Sequence, residues 1–253
     1  VRTPGASSPL FVRKGALDLA GTACRDAGLQ GRAFILSDAV VGPLLAPRVR
    51  QSLEHAGYQV SVSTIPAGEA EKTLATVETV YDWLIRERIE RTDFLVCVGG
   101  GVVTDLGGFA AATCLRGIDF VHIPTTMLGM VDASVGGKTG VDHRLGKNMI
   151  GAFAQPRAVI IDPRVLESLP ERQLRAGMAE LIKHGFILDD ALVEDLESPD
   201  GSLAAMHTPE MIARSVAIKA AVVSEDEREA GNRTLLNYGH TVGHAIEAVT
   251  GYT

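Results

Sequence analysis

The sequence predicts an α/β domain built on a mainly parallel sheet, followed by an all-helical domain. Three observations carry that expectation. Short apolar runs alternate with amphipathic stretches over the first two thirds of the chain, a glycine triplet follows one of those runs, and past Asp162-Pro163 the apolar residues recur at helical spacing. Candidate strands are Arg32 to Ser37, Tyr58 to Ile65, Asp93 to Val98 and Asp119 to Ile123, each rich in Val, Ile or Phe and bounded by turn residues. Helices fit between them; Thr73 to Arg88 carries Leu74, Val77, Val80, Tyr81, Leu84 and Ile85 on one face. Val159 to Asp162 reads as the last strand, and the helical stretches that follow are Glu171 to His184, Pro209 to Val223 and Thr234 to Ala248. The expected division is 1–163 for the α/β domain and 164–253 for the helical one. Glu197 to Ser202, with its Ser-Pro-Asp-Gly, reads as a loose turn.

Composition narrows the function classes. The 253 residues are 46% hydrophobic and 22% charged, which supports a buried core and excludes disorder and coiled coil. Lys plus Arg number 24 against 31 Asp plus Glu, a net charge of -7, so a basic surface for nucleic acid is not expected and any anionic ligand needs a local cationic cluster. No apolar run has the length of a membrane span and the first residues carry no signal-peptide core, so the chain reads as cytoplasmic. Cys24, Cys97 and Cys114 are odd in number, widely spaced and set among apolar residues, as buried reduced thiols are.

Four segments carry chemistry. Gly99-Gly100-Gly101-Val102-Val103-Thr104-Asp105 lies between an apolar strand and the helix-like Leu106 to Thr113, a context that suits a phosphate cradle; Thr104 stands where the dinucleotide fingerprint has its third glycine, and a plain tight turn fits as well. Asp132 to Gly140 contains Gly-Lys-Thr, but Asp132 occupies the position where a P-loop requires its first glycine, so nucleoside triphosphate hydrolysis is a poor match. Lys138, Lys147 and Asn148 among these glycines form either an anion site or a solvated basic loop. His240 and His244, at i and i+4, share one helix face; Thr241 stands where a zinc protease has its general base, so the pair is a metal site or a proton-transfer pair, with Glu180 one of many possible third ligands. Lys183, Lys219 and Arg233 are a further cationic set or ordinary surface charges, and Glu225-Asp226-Glu227 reads as a solvated face or turn.

Taken in order, five blocks resemble the 3-dehydroquinate synthase family of sugar-phosphate cyclases: GGGVVTDLGGFAAATCLRG from Gly99, IPTTMLGMVDASVGGKTGVD from Ile123, GKNMIGAF from Gly146, GMAELIKHG from Gly177 and NRTLLNYGHTVGHAIE from Asn232. The resemblance implies a Rossmann-like NAD-binding α/β domain, a helical domain carrying a divalent metal, zinc or cobalt, and a homodimer. It implies Glu180 and His240 as metal ligands and moves His244 to the substrate phosphate, beside Lys138, Asn148 and Asn237, with Arg116 reaching in from a partner subunit. Lys219 and Arg233 would hold the substrate carboxylate, and Asp132 and Lys183 the hydroxyl-bearing carbons. The matching NAD positions are Asp38, Glu71, Lys72, Gly100, Gly101, Asp105, Thr125, Thr126 and, at the anion loop, Lys147. The implied reaction converts 3-deoxy-D-arabino-heptulosonate 7-phosphate into 3-dehydroquinate and phosphate, with NAD regenerated in each turnover. Family members continue past the position of Thr253 and draw a third metal ligand from a His-Gly-Glu segment there, so the chain is expected to be a fragment. Alternatives are a cyclase of secondary metabolism acting on glucose 6-phosphate or sedoheptulose 7-phosphate, a metal-dependent dehydrogenase of related fold, and a non-catalytic NAD-binding module.

Overall fold

The computed structural model describes residues 1–3, 6–197, 208–239, 242, 243 and 246. A short antiparallel pair, β1 (Arg2–Thr3) and β2 (Ala6–Ser7), leads into β3 (Leu10–Val12) and α1 (Ala20–Asp26). Then follow β4 (Ala33–Asp38), α2 (Gly42–His55), β5 (Val60–Ile65), α3 (Leu74–Arg86), β6 (Phe94–Gly99), α4 (Gly101–Thr113) and β7 (Asp119–Pro124). A hairpin of β8 (Lys138–His143) and β9 (Gly146–Phe153) precedes β10 (Ala158–Ile161). The rest is helical: α5 (Glu171–Leu188), α6 (Asp190–Leu196), α7 (Pro209–Glu225) and a 3-10 turn at Asn232–Asn237.

Six strands form one parallel sheet in the order β3-β10-β7-β6-β4-β5. The central strands read as unbroken apolar runs because both faces are covered: every residue of β6 is buried, and so is β4 up to Asp38. Successive side chains point to opposite faces, so Ile35 and Val96 enter the core beneath α1 and α2, whereas Phe34, Leu36, Leu95 and Cys97 enter the one beneath α3 and α4. Edge strand β5 alternates instead, as a half-exposed edge should. The sequence-derived strands lie within about two residues of these bounds, and Thr73 caps α3 by accepting from the Thr76 N–H at 3.2 Å. All three cysteines are free and buried, and burial raises each thiol, that of Cys24 to about 12.

Two expectations are corrected. The glycine-rich stretch after Asp132 is a hairpin rather than a loop: β8 packs on α4 so tightly that a Cβ at Gly108 would stand 2.5 Å from Thr139, and lies on β9 so closely that one at Gly140 would stand 2.5 Å from the Ile150 carbonyl oxygen. The helix expected over Thr234 to Ala248 begins as the 3-10 turn, and Gly239 at φ +82° interrupts it. Most of the remainder of that stretch, with His240 and His244, lies outside the described residues, as does the expected turn from residue 198 onward.

A π-helical turn at Gly129–Ala133, closed by the Ser134 N–H on the Gly129 carbonyl at 3.1 Å, joins the sheet to the helices. Helix α5 lies directly on the backbone before it, where a Cβ at Gly177 would approach the Leu128 nitrogen to 2.3 Å and the Met127 Cβ to 2.4 Å. Gly177→Ala is therefore expected to lower the unfolding free energy by about 1–3 kcal/mol in a urea titration, the cost of overpacking. An unchanged midpoint would show that α5 has slack at this contact.

Candidate active site

Strand order reverses between β4 and β6: the chain moves from β4 to β5 on one side, then crosses back to β6 and continues outward through β7 and β10. In open parallel sheets this switch point opens a crevice at the carboxyl ends of the strands. Here those ends carry Asp38, Gly99-Gly100-Gly101 and Thr125-Thr126. Asp38 Oδ1 accepts from the N–H groups of Val40 and Val41, both at 2.8 Å, which turns the chain away from the crevice. The Thr125 N–H donates to the Gly99 carbonyl at 2.9 Å, and a Cβ at Gly100 would meet Thr126 at 3.0 Å, so these two strand ends are drawn close.

Helix α4 starts at the glycines with no side-chain cap and no acidic residue in its first turn. Its first internal donor is the Thr104 N–H, on Gly100 O at 3.1 Å, so the preceding N–H groups and the positive end of the helix dipole are available to an anion. Thr125 Oγ1 is buried with no hydrogen-bond partner among the described residues. An uncapped helix start beside an unpartnered buried hydroxyl fits the pyrophosphate and ribose of a dinucleotide.

One flank of this crevice is a charged cluster. Lys72 Nζ donates to Asp105 Oδ2 and to Asn148 Oδ1, both at 2.6 Å, and the Lys72 carbonyl accepts from the Asp142 N–H at 2.8 Å. Asp142 in turn accepts from the Asn148 N–H at 2.7 Å, holding Asn148 at φ +55°. Burial pushes the Asp105 carboxyl up to about 6 even with the Lys72 ammonium against it. Lys147 lies 3.9 Å from Glu69, next to Glu71 in the same 3-10 turn. The structure thus groups Lys72, Asp105, Lys147 and Asn148. Sequence reading joined Asn148 to Lys138 instead; the hairpin separates them, because Lys138 pairs with Phe153, five residues of β9 from Asn148 and roughly 17 Å along an extended strand.

The π turn forms the other flank. Lys219 on α7 donates to Asp132 Oδ1 and to the Asp132 carbonyl, both at 2.5 Å. Burial would raise the Asp132 carboxyl, but Lys219, with Lys183 behind it, holds it at about 2. Arg233 is buried and donates to the Gly136 carbonyl at 3.0 Å and to the Glu227 carbonyl; burial lowers its guanidinium. Lys183 on α5 pairs with Glu180 and donates to the Leu236 carbonyl at 2.7 Å. The structure thus brings Asp132, Lys183, Lys219 and Arg233 near one another.

Lys138 follows two residues after Gly136, and its ammonium pairs with Glu229, whose other carboxylate oxygen accepts from Asn237 Nδ2 at 2.6 Å. Arg116 stands apart with φ +68°, past the far end of α4 and roughly 20 Å along the helix axis from Gly101. Glu180 is the expected metal ligand that the structure describes; among the described residues no group of three His, Cys, Asp or Glu is placed to hold an ion, so these residues do not by themselves fit a metal.

Two participants go unnoticed in the sequence, and a third reads there as a solvated face or turn. Glu229 is one. His184 is another: buried, with Nδ1 on Ser215 Oγ at 2.8 Å and Nε2 unpartnered among the described residues, it is pushed down to about 4 by burial and stays neutral. The third is the acidic run, which is not merely solvated: Asp226 accepts the N–H groups of Ala230, Gly231 and Arg233, and Glu227 accepts from Gln155 at 3.0 Å.

Comparison with known proteins agrees with this fold. A family model described as 3-dehydroquinate synthase N-terminal matches residues 62–176, and one described as 3-dehydroquinate synthase C-terminal matches residues 177–253. The 3-dehydroquinate synthase of Citrifermentans bemidjiense is 50% identical over 242 residues, covering 94% of this chain and 67% of that protein. Among solved structures, 2-deoxy-scyllo-inosose synthase complexed with carbaglucose-6-phosphate, NAD+ and Co2+ superposes with a TM-score of 0.84 at 30% identity, covering 95% of this chain and 67% of the other. The 2-epi-5-epi-valiolone synthase of Streptomyces hygroscopicus, with NAD+ and Zn2+ bound, gives 0.85 at 29% identity, covering 98% and 69%. The chain belongs to the 3-dehydroquinate synthase family.

Proposed function

We propose that the chain carries out the family's reaction, converting 3-deoxy-D-arabino-heptulosonate 7-phosphate into 3-dehydroquinate and phosphate. The observation that carries the reading is the gathering of Lys183, Lys219 and Arg233 around Asp132 and Gly136, across a crevice from an uncapped helix start. NAD and a divalent metal are the cofactors of this reading: bound NAD would supply reversible hydride transfer, and Glu180 would be the metal's ligand among the described residues. Gly100, Gly101, Thr125 and Asp105 would hold the dinucleotide, with Asp38, Glu71, Lys72, Thr126 and Lys147 around it.

The side chains divide the remaining work by charge. Lys219 and Arg233, two cations brought to Asp132 and Gly136, would bind the substrate carboxylate and fix the ring carbons over the crevice. Asp132, kept ionised by Lys219, is an acceptor for a substrate hydroxyl, with Lys183 a donor beside it. Lys138 and Asn237, with His244 by resemblance, would bind the phosphoryl group and stabilise the charge that leaves with it. Arg116, so far from Gly101 within its own chain, would add to that site on a second copy, which makes the working unit a homodimer. The division into 1–163 and 164–253 follows the same line, the dinucleotide on the first part and most substrate contacts on the second. The buried free cysteines support a cytoplasmic setting.

The direct test supplies the heptulosonate phosphate, a divalent metal and substoichiometric NAD, then follows inorganic phosphate and absorbance at the NADH band. Phosphate release over many turnovers without NADH accumulation is expected; steady NADH accumulation would assign a dehydrogenase, and NAD binding without release a non-catalytic module. Lys219→Met is expected to lower kcat/KM by about a hundredfold or more, since it removes a cation from the substrate and the counter-charge of Asp132. An effect under about threefold would remove Lys219 from the site. NAD affinity should fall as pH drops through about 6, because protonation of Asp105 removes the acceptor form of its carboxylate, and Asp105→Asn should flatten that dependence. A titration by NADH fluorescence that stays level from pH 5 to 8 would contradict the assignment.

A further inference from the structure

Glu229 is placed with unusual care for a residue of an exposed loop. Its backbone is left-handed, φ +59°, a conformation unfavourable for a residue with a Cβ that persists where neighbouring contacts impose it. Those contacts are present on both sides. Asp226 gathers the N–H groups of Ala230, Gly231 and Arg233, and Glu227 is tied through its carbonyl to Arg233 and through its carboxylate to Gln155. The loop thereby aims the Glu229 carboxylate at two groups far away in sequence or on another element: the ammonium of Lys138 and the Nδ2 amide of Asn237. Burial would raise this carboxyl, but the bonds from Lys138 and Asn237 and the nearby charge of Arg233 hold it below the usual range, so it is an anion at neutral pH.

We propose that Glu229 is a built-in stand-in for the substrate's phosphoryl group: with no substrate bound, its carboxylate occupies the position between Lys138 and Asn237, and binding exchanges one anion for the other. The proposal rests on the reading that Lys138 and Asn237 receive the phosphoryl group. Both donors are already engaged with the carboxylate, and a phosphoryl dianion reaching them would lie within a few ångströms of a second negative charge, so the two cannot share the position. Arg228 and Ala230 on either side are exposed, which leaves the side chain room to rotate into water. The exchange makes Glu229 a specificity-determining residue. A weakly held monoanion does not displace a tethered carboxylate, whereas a phosphoryl dianion with further cations around it does, and the returning carboxylate helps expel product phosphate.

The test measures binding of inorganic phosphate to the NAD- and metal-loaded enzyme by calorimetry, beside steady-state kinetics on the phosphorylated substrate. Glu229→Gln keeps the size and an acceptor oxygen but removes the charge. Phosphate should bind it roughly five- to tenfold tighter than the wild type, with KM falling and kcat falling or holding as product release slows, and Glu229→Asp should return both toward wild-type values. Unchanged or weaker phosphate binding in Glu229→Gln overturns the proposal. Lys138→Met separates the two readings: weaker phosphate binding there, together with no gain in Glu229→Gln, leaves the phosphate site standing and removes the exchange, whereas no effect of Lys138→Met removes both. Should Glu229→Gln fail to fold, the wild-type enzyme crystallised with and without phosphate decides the matter. The carboxylate turned away from Lys138 only in the phosphate-bound form supports the exchange, and a Lys138–Glu229 pair intact beside bound phosphate overturns it.

Discussion

The bond between Lys219 and Asp132 is the constraint on which the site depends. Asp132 sits in a π turn that begins five residues after the last residue of β7, so its position is set by the sheet; Lys219 belongs to α7, which packs on this turn and on β1 and β3. A lysine with an exposed side chain would stay in water. This one is 8% exposed and gives two bonds to a single residue, one to its carbonyl and one to its carboxylate, so the charge is compensated where it is buried. The same turn carries Gly136 a few residues on, where Arg233 binds, and its approach to α5 is made possible by the missing side chain of Gly177. Three elements of the helical part, α5, α7 and the 3-10 turn, are thus hung on one irregular piece of backbone. A regular α-turn in its place would rotate Asp132 about the helix axis and separate it from its lysine.

Across the crevice, a chain with a surplus of acidic residues uses a different means of holding an anion. The glycine turn before α4 offers backbone N–H groups and a helix dipole, which need no side-chain charge and leave the crevice open to a flat ligand. Side-chain cations on the flank built around the π turn are each paired with a carboxylate: Lys219 with Asp132, Lys138 with Glu229, Lys183 with Glu180. Lys72 is likewise paired with Asp105 on the cofactor's half. Pairing of this kind keeps the cations in place without a ligand and makes binding an exchange of partners rather than a gain of new charge contacts.

Much of the fold was legible because it depends on short-range pattern. Buried parallel strands write themselves as apolar runs, as Phe94 to Val98 does, and the helix expected from Thr73 begins there, with Thr73 as its cap. The β8–β9 hairpin was not legible, since Gly140 and Gly151 serve the close approach of its two strands and resemble a loop in composition. Residue roles were legible through motif resemblance more than through spacing. Asn148 shows the limit: its neighbours in sequence suggest a place near Lys138, and only the pairing register sends it to Lys72 instead. Glu229 was out of reach altogether, because its meaning lies in a contact with Lys138, 91 residues away, and an acidic loop gives no local sign of such a contact.

The account's central claim is that Asp132 and Lys219 act as a coupled pair joining sheet to helices, and a double-mutant cycle on unfolding free energy addresses it most directly. Asp132→Asn, Lys219→Met and the double variant are compared with the wild type by urea titration at pH 7, where Asp132 is ionised. A coupling energy on the order of 1 kcal/mol is predicted, with the double variant less destabilised than the sum of the singles. Single effects that add to within about 0.3 kcal/mol would contradict the claim and leave the π turn held by packing alone.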